Sequence, residues 1–466
     1  MNNAPIFDRE HLDTLLEQRQ YALFVRDLDE LSPIDAAEYL SGLSKEKLPV
    51  VFRLLKKDTA ADIFAELDTD QQAELICGMN EREMREMLDD LFTDDAVDLL
   101  EEMPAGTVKR ILQNATPETR AEINRFLAYP EDSAGGVMTS ELIDLRREMT
   151  CAEAVERIRS IGRVSETVYV AYVTDRARVL EGVVDLKSLL FASPDQKIAD
   201  IMNPNVIYGY THDDRERVAH LISHYDILAL PIVDTEKRLV GIVTVDDALD
   251  VLETEATEDI ERMAAILPTD KPYMKTGIFE TWKKRIPWLL VLMISATFTG
   301  AIITHFEDAI GRYAILTAFF PMLMDTGGNA GGQTSVTVIR GLSLGEIDLR
   351  DVLRVLWKEF RVAILCGLTL SAVTFLKVMA IDFRFQAVSV PEGGATQNNL
   401  LIAAIISLTV FSAILVAKTV GTLLPMGAKR IGLDPAVMAS PFITTIVDTV
   451  TLLIYFSIAS AWLPLT

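Results

Sequence analysis

Residues 321–345 read PMLMDTGGNAGGQTSVTVIRGLSLG. They lie inside an apolar run long enough to cross a bilayer, which takes about 20 residues, yet they are crowded with glycine and polar side chains. Backbone that meets lipid must satisfy its hydrogen bonds internally, so interrupted backbone at membrane depth is tolerated only where it is buried in protein or faces a wet cavity. Gly327, Gly328, Gly331 and Gly332 surround Asn329, and Gln333 and Thr334 follow. They are therefore expected to break the helix and present a polar backbone surface to a partner helix or a water-filled path.

A second departure is Asp448, the lone carboxylate in MASPFITTIVDTVTLLIYFSIASAW at 438–462. An ionised aspartate at mid-bilayer costs about 2.5–3.5 kcal/mol on insertion scales, so its presence points to function. Neither segment has a cysteine or histidine beside it. What they offer is oxygen from carboxylate, amide, hydroxyl and freed carbonyl groups, a donor set that suits magnesium, calcium or manganese rather than zinc or copper.

In the motifs GGNAGGQ at 327–333, GTLLP at 421–425 and DPAVMASPFITTIVD at 434–448, the chain resembles the MgtE family of magnesium transporters and channels. The resemblance extends in domain order over essentially the whole sequence. It implies a homodimer with a pore between the second and fifth membrane helices. On that reading Asp448, with Asn329 and carbonyls near Gly328, holds a hydrated cation, and Asp434 adds a site at the cytoplasmic end of the fifth span.

The 466 residues carry a net charge of −24, unevenly placed. Acidic side chains outnumber basic ones nearly two to one through residue 280 and fall slightly behind them afterwards. An acidic body joined to a membrane body argues against nucleic acid and for divalent cations as partners. Cys77, Cys151 and Cys366 are scattered, with no CxxC pair, as suits a reducing compartment. The polar N-terminus has no signal-peptide core.

Residues 28–115 repeat with a period of twelve: Leu40, Phe52, Phe64, Ile76, Leu88, Leu100 and Leu112 recur in step, as do Leu31, Leu43, Leu55, Leu67, Met79, Leu91 and Met103. Helices this short are marginal alone, so they are expected to stack into an all-α superhelix over residues 1–130. Most acids there read as a solvated face, but Asp94, Asp95 and Asp98 are dense enough for a metal or partner surface.

Residues 131–253 alternate helical patterns with short β-rich runs, and the two halves are similar. AGGVMTSELIDL matches IADIMNPNVIYG, and VLEGVVDLKSLL matches RLVGIVTVDDAL. The layout resembles an α+β tandem CBS pair. In the second copy Thr244 and Asp247 fit that module's nucleotide pattern, implying ATP or another adenosine nucleotide, with Thr244 near phosphate and Asp247 on ribose. The first copy has Asp185 in place of the threonine. His220 and His224 have the spacing of a zinc pair but lack a third ligand, so a helix surface is the simpler reading.

From Val245 onward Asp246, Asp247, Asp250, Glu253, Glu255, Glu258, Asp259 and Glu261 crowd one helical stretch, where like charges repel. The flanking sequence offers little positive charge before Lys271. The MgtE resemblance implies a linker, or plug, helix at 254–284 that binds magnesium together with the N-terminal acids. Carried over by position, the regulatory ligands are Asp214, Glu216, Asp226, Asp247, Asp250, Glu255, Glu258 and Asp259, joined by Asp62, Asp94, Asp95 and Asp98.

The last part, 285–466, reads as a five-span α-helical membrane domain with spans near 287–303, 313–342, 361–381, 400–428 and 437–463. Basic residues gather at Lys283, Lys284 and Arg285, at Arg350, Arg354, Lys358 and Arg361, and at Lys429 and Arg430. By the positive-inside rule the acidic body is cytoplasmic and the C-terminus lies outside the cell (inner) membrane. The leading expectation is a gated, channel-like pathway for hydrated magnesium that internal magnesium closes. An ion-coupled divalent transporter falls in the same class, and a membrane-anchored magnesium or nucleotide sensor is the alternative. Asp325-Thr326-Gly327 spells the aspartic-protease triplet, but the flanks lack an intramembrane protease pattern, so no enzyme is expected.

Overall fold

The computed structural model describes residues 8–101, 103–162, 164–269, 273–274, 276–307, 314–383, 395–438 and 440–463. Lys271, the start of the expected second span at 313, and residue 439 ahead of the fifth helix lie outside them. The chain divides into two compact units, 1–252 and 253–466.

Unit one begins with ten short helices: α1 (Arg9–Glu17), α2 (Tyr21–Asp29), α3 (Pro33–Ser41), α4 (Leu48–Phe52), α5 (Lys57–Ala65), α6 (Thr69–Gly78), α7 (Glu81–Asp90), α8 (Thr93–Glu101), α9 (Ala105–Asn114) and α10 (Pro117–Phe126). The twelve-residue step is their packing period. Leu40, Phe52, Phe64, Ile76, Leu88 and Leu100 are all buried in one continuous core, and Leu112 closes the series half-buried. Each such side chain contributes about 1.5–3 kcal/mol by leaving water, which helices of five to ten residues need because their own hydrogen bonds barely offset nucleation. Caps set the turns: Ser32, Asn80 and Thr116 each accept a backbone N–H of the helix they start.

The same core runs into the following α+β part through Ala134, Met138, Val218, Ile222 and Val251. There β1 (Asp144–Leu145), β2 (Val170–Thr174) and β3 (Leu180–Asp185) form one sheet, and β4 (Gly209–Tyr210), β5 (Ala229–Val233) and β6 (Leu239–Thr244) another. In each sheet the first pair is parallel and the second antiparallel, with the same register shift near the end. Helices α11 (Cys151–Ile161), α12 (Leu186–Phe191), α13 (Ile198–Ile201) and α14 (Arg215–Tyr225) accompany them. The halves interlock: Thr139 pairs with Ile242 of the second sheet and Asn203 with Val183 of the first. Tyr172 donates its hydroxyl to the Ala229 carbonyl at 3.1 Å across the seam. This is the expected CBS pair, and Asp185 takes the helix-capping place at the head of α12. The linker helix α15 (Val245–Met263) starts inside it, so the division at 252 falls within one helix.

Unit two contains α16 (Ile278–His305), α17 (Phe320–Ser343), α18 (Val352–Lys377), α19 (Ala395–Arg430) and α20 (Ser440–Trp462). Four helical stretches among the described residues are long and apolar enough to cross a membrane: Ile278–His305, Leu349–Asp382, Asn399–Arg430 and Pro435–Trp462. The fifth, α17, is about 36 Å long at 1.5 Å per residue, sufficient for a hydrocarbon core of about 30 Å, but its glycines and amides lower its hydropathy. The basic residues Arg354, Lys358 and Arg361, expected to fill the loop between the second and third spans, lie on α18 itself. Helix α20 starts three residues later than expected, after a 3-10 turn at Pro435–Met438.

One expectation is overturned. The glycine-rich stretch does not break: 320–343 is one continuous helix, so its backbone carbonyls are not freed for ions. The glycines instead remove side chains where α17 crosses α19 and α20. A Cβ on Gly421 would lie 2.5 Å from the Gly331 carbonyl oxygen, and one on Gly328 would lie 2.8 Å from the Thr444 methyl group. Small residues at such crossings let backbones approach, the usual basis of helix association in lipid.

Candidate functional site

Two faces of α17 divide its residues by chemistry. Gly327, Gly328, Gly331, Thr334, Ser335 and Val338 are buried within the subunit. Asp325, Asn329, Gln333, Thr337 and Arg340 are exposed, and their spacing of three or four residues lines them up as one polar stripe. On α20, which packs along the glycine face, Asp448 lies within electrostatic reach of Asp325. The Asp448 Oδ1 atom is buried and takes no hydrogen bond, and neither does the Thr451 hydroxyl one turn along. Buried oxygen without a donor is costly. The Asp448 oxygen, within reach of the Asp325 charge, is a candidate to meet a hydrated divalent cation, whereas Thr451 is 1% exposed and its hydroxyl packs against Gly327 inside the subunit.

Asp434 is engaged by protein. Its carboxylate accepts the Ala436 N–H at 2.7 Å and pairs with Arg262 of α15, which also holds Glu258. The flanks offer little positive charge before Lys271, but Arg262 supplies it from within the acidic helix. Asp259 accepts from the Ser343 hydroxyl at 3.0 Å at the end of α17. Burial raises the Asp259 carboxyl above its ordinary range, and Asp434 and Glu255 add to that rise.

In unit one a second group of acids converges. Asp94 and Asp95 stand in the first turn of α8, Asp246 and Asp247 in the first turn of α15. Helix N-termini favour negative charge there, but the sum is repulsive. Burial raises Asp94 well above the carboxylate range, with Asp95 and Asp247 adding to it. Burial, then Asp247, Glu66 and Asp62, lift Asp95 to about 6. Burial, then Asp247 and Asp246, lift Glu166 to about 7. Glu141 is held by Thr93 at 2.7 Å and Thr139 at 2.6 Å. Glu166, Glu141 and Glu66 were not anticipated: the first two lie in loops and Glu66 stands at the C-terminal cap of α5, and no local pattern marked them. Among the described residues no three acidic, histidine or cysteine side chains converge at direct metal-binding distance.

Asp214 and Asp226 stand at opposite ends of one helix. Asp214 caps α14, accepting from Glu216 N at 2.8 Å, while Asp226 ends the same helix in a left-handed conformation. These two are about 18 Å apart along the axis. Asp98 is exposed one turn beyond Asp95, and Asp250 adds its charge to Glu66. Thr244 donates to Asp247 at 2.5 Å, so the expected nucleotide residues bond to each other in this state. His220 lies 3.5 Å from Glu216, a surface pair.

Comparison with known proteins matches residues 320–458 to the MgtE divalent cation transporter profile, 31–132 to the MgtE intracellular N domain and 198–254 to the CBS domain. The magnesium transporter MgtE of Thermus thermophilus is 38% identical over 93% of both chains. That of Bacillus subtilis is 31% identical over 94% of this chain and 93% of its own. A crystal structure of the cytosolic domain of the Mg2+ channel MgtE in complex with ATP is 39% identical, with a TM-score of 0.50, covering 52% of this chain and all of that one. The helices, the polar stripe and these matches define a multi-pass membrane transporter. The chain belongs to the MgtE family of divalent cation transporters.

Proposed function

We propose that this protein moves hydrated magnesium through a pathway lined by the α17 stripe and Asp448, as a homodimer. The observation that carries this is the stripe itself. Asp325, Asn329 and Gln333 face out of the subunit, where lipid would leave polar groups at a cost of several kcal/mol. A second copy across a two-fold axis covers the stripe and doubles Asp448. Magnesium gives up its waters reluctantly and is commonly held through them by one or two carboxylates. The relatives' naming as magnesium transporters supports this choice of cation.

The regulatory reading rests on the acids of each unit. At low internal magnesium, Asp94, Asp95, Asp247 and Glu166 repel. At high magnesium, bound ions relieve that repulsion, and the acids around α15, namely Glu255, Glu258 and Asp259, settle with Asp434 to close the path, a coupling of about 1–3 kcal/mol. Thr244 and Asp247 of the CBS pair bind an adenosine nucleotide on this reading, which the crystal structure of a relative's cytosolic domain in complex with ATP supports. The acidic body faces the cytoplasm of the cell membrane by the positive-inside rule. Divalent uptake by proteoliposomes at graded internal magnesium tests the scheme: uptake falling as internal magnesium rises supports it, and a flat response removes the gate.

A further inference from the structure

The glycine contact between α17 and α19 is close, but it is smooth. At Gly331 the neighbours are Gly421, the Ala417 carbonyl and the apolar side chains of Ile443 and Val447 on α20, contacts that set the separation of the helices without a directional bond. One turn along, three polar groups meet. Lys418 Nζ of α19 donates to Thr334 Oγ1 of α17 at 2.9 Å and to Glu359 Oε2 of α18 at 3.2 Å, while the Thr334 hydroxyl lies 3.1 Å from that same carboxylate oxygen. The Lys418 and Glu359 side chains are only 8% and 14% exposed.

A buried ion pair is seldom more stabilising than apolar residues of equal volume; where it is kept, its value lies in admitting one arrangement and penalising others. Here that arrangement joins three helices, and the only group α17 contributes is one hydroxyl. Thr334 follows Gln333 by one residue, so the clamp grips the buried side of the helix whose outer side carries the stripe. We propose that the Lys418–Glu359 pair, acting through Thr334, sets the rotation of α17 and so the aim of Asp325, Asn329 and Gln333. All three clamp members are positioning residues rather than cation ligands. The inference rests on the transport path proposed above.

The test uses full-length protein in proteoliposomes, reading half-saturating magnesium and the preference for magnesium over calcium. Lys418→Met/Glu359→Met keeps volume and removes both charges. It is expected to retain the thermal midpoint while half-saturating magnesium rises at least threefold and ion preference falls at least threefold. Thr334→Val should move both readouts the same way, and Thr334→Ser should restore them to within twofold. If the double variant does not fold, the threonine pair decides alone. Wild-type half-saturation and preference in the double variant, or a serine no better than valine, overturns the proposal. Asp448→Asn, run alongside, separates the two levels: unchanged transport there overturns the path, whereas loss there with indifferent clamp variants overturns only the clamp.

Discussion

Arg262, in the last turn of α15, binds Asp434 with one arm of its guanidinium and Glu258 with the other. Asp434 was expected to receive cations ahead of α20, so in this conformation a cation belonging to the protein holds that position. Within unit two, the C-terminal end of α15 is thus tied to the segment ahead of α20 by charge-assisted bonds between partly exposed partners.

Arg262→Ala is expected to loosen that tie. A partly exposed pair of this kind is worth about 1 kcal/mol, so uptake remaining at millimolar internal magnesium should rise about fivefold. Arg262→Lys, which keeps charge without the two-armed grip, should fall between. Stopped-flow uptake checks both, and an unchanged closed-state leak in Arg262→Ala contradicts the role given to Arg262.

Asp95→Asn and Glu166→Gln each remove a charge from a repelling, half-buried group. Unit one should become more stable by about 1 kcal/mol in magnesium-free buffer. Protection by added magnesium should shrink correspondingly. Limited proteolysis of the full chain, with and without magnesium, reads both effects, and undiminished magnesium protection in both variants speaks against the cluster.

The same acids set a pH dependence. Folding raises Asp95 to about 6 and Glu166 to about 7, so the folded unit holds more protons than the unfolded chain, whose carboxyls titrate near about 4. Without divalent ions, resistance to proteolysis should therefore be greatest at low pH and fall as pH climbs through about 6 to 7. Magnesium competes with those protons, so its protective effect should be larger at pH about 8 than at pH about 5.

Gly421→Ala places a methyl group 2.5 Å from the Gly331 carbonyl oxygen, with backbone on both sides and no flexible side chain to yield. The crossing must open, at a cost of about 1–3 kcal/mol. A lowered thermal midpoint in detergent and reduced uptake are expected together, whereas Gly427→Ala, with open space around it, should behave as the unsubstituted chain.

Periodicity carried far into the fold. The twelve-residue step named the core side chains of the helical stack, and the matched halves named both small sheets, because burial repeats wherever the backbone does. The glycines of α17 misled because glycine permits both a broken helix and a close crossing, and only the neighbouring helices decide between them. Asp448 and Asn329 were legible as polar groups where lipid should be. Arg262, Lys418 and Glu359 were not singled out, since each is an ordinary charge in its own segment and acquires a role only through a partner 59 or 172 residues away. Glu166 joined the acidic cluster for the same reason.

The central claim is that a magnesium ion, still hydrated, passes Asp448. Its most direct measurement is magnesium uptake into proteoliposomes by the unsubstituted chain and by Asp448→Asn, with both proteins confirmed as folded and inserted. The account predicts uptake at least tenfold lower in the variant at low internal magnesium, about 1.4 kcal/mol or more of lost stabilisation of the ion. Equal uptake by the two proteins would contradict it.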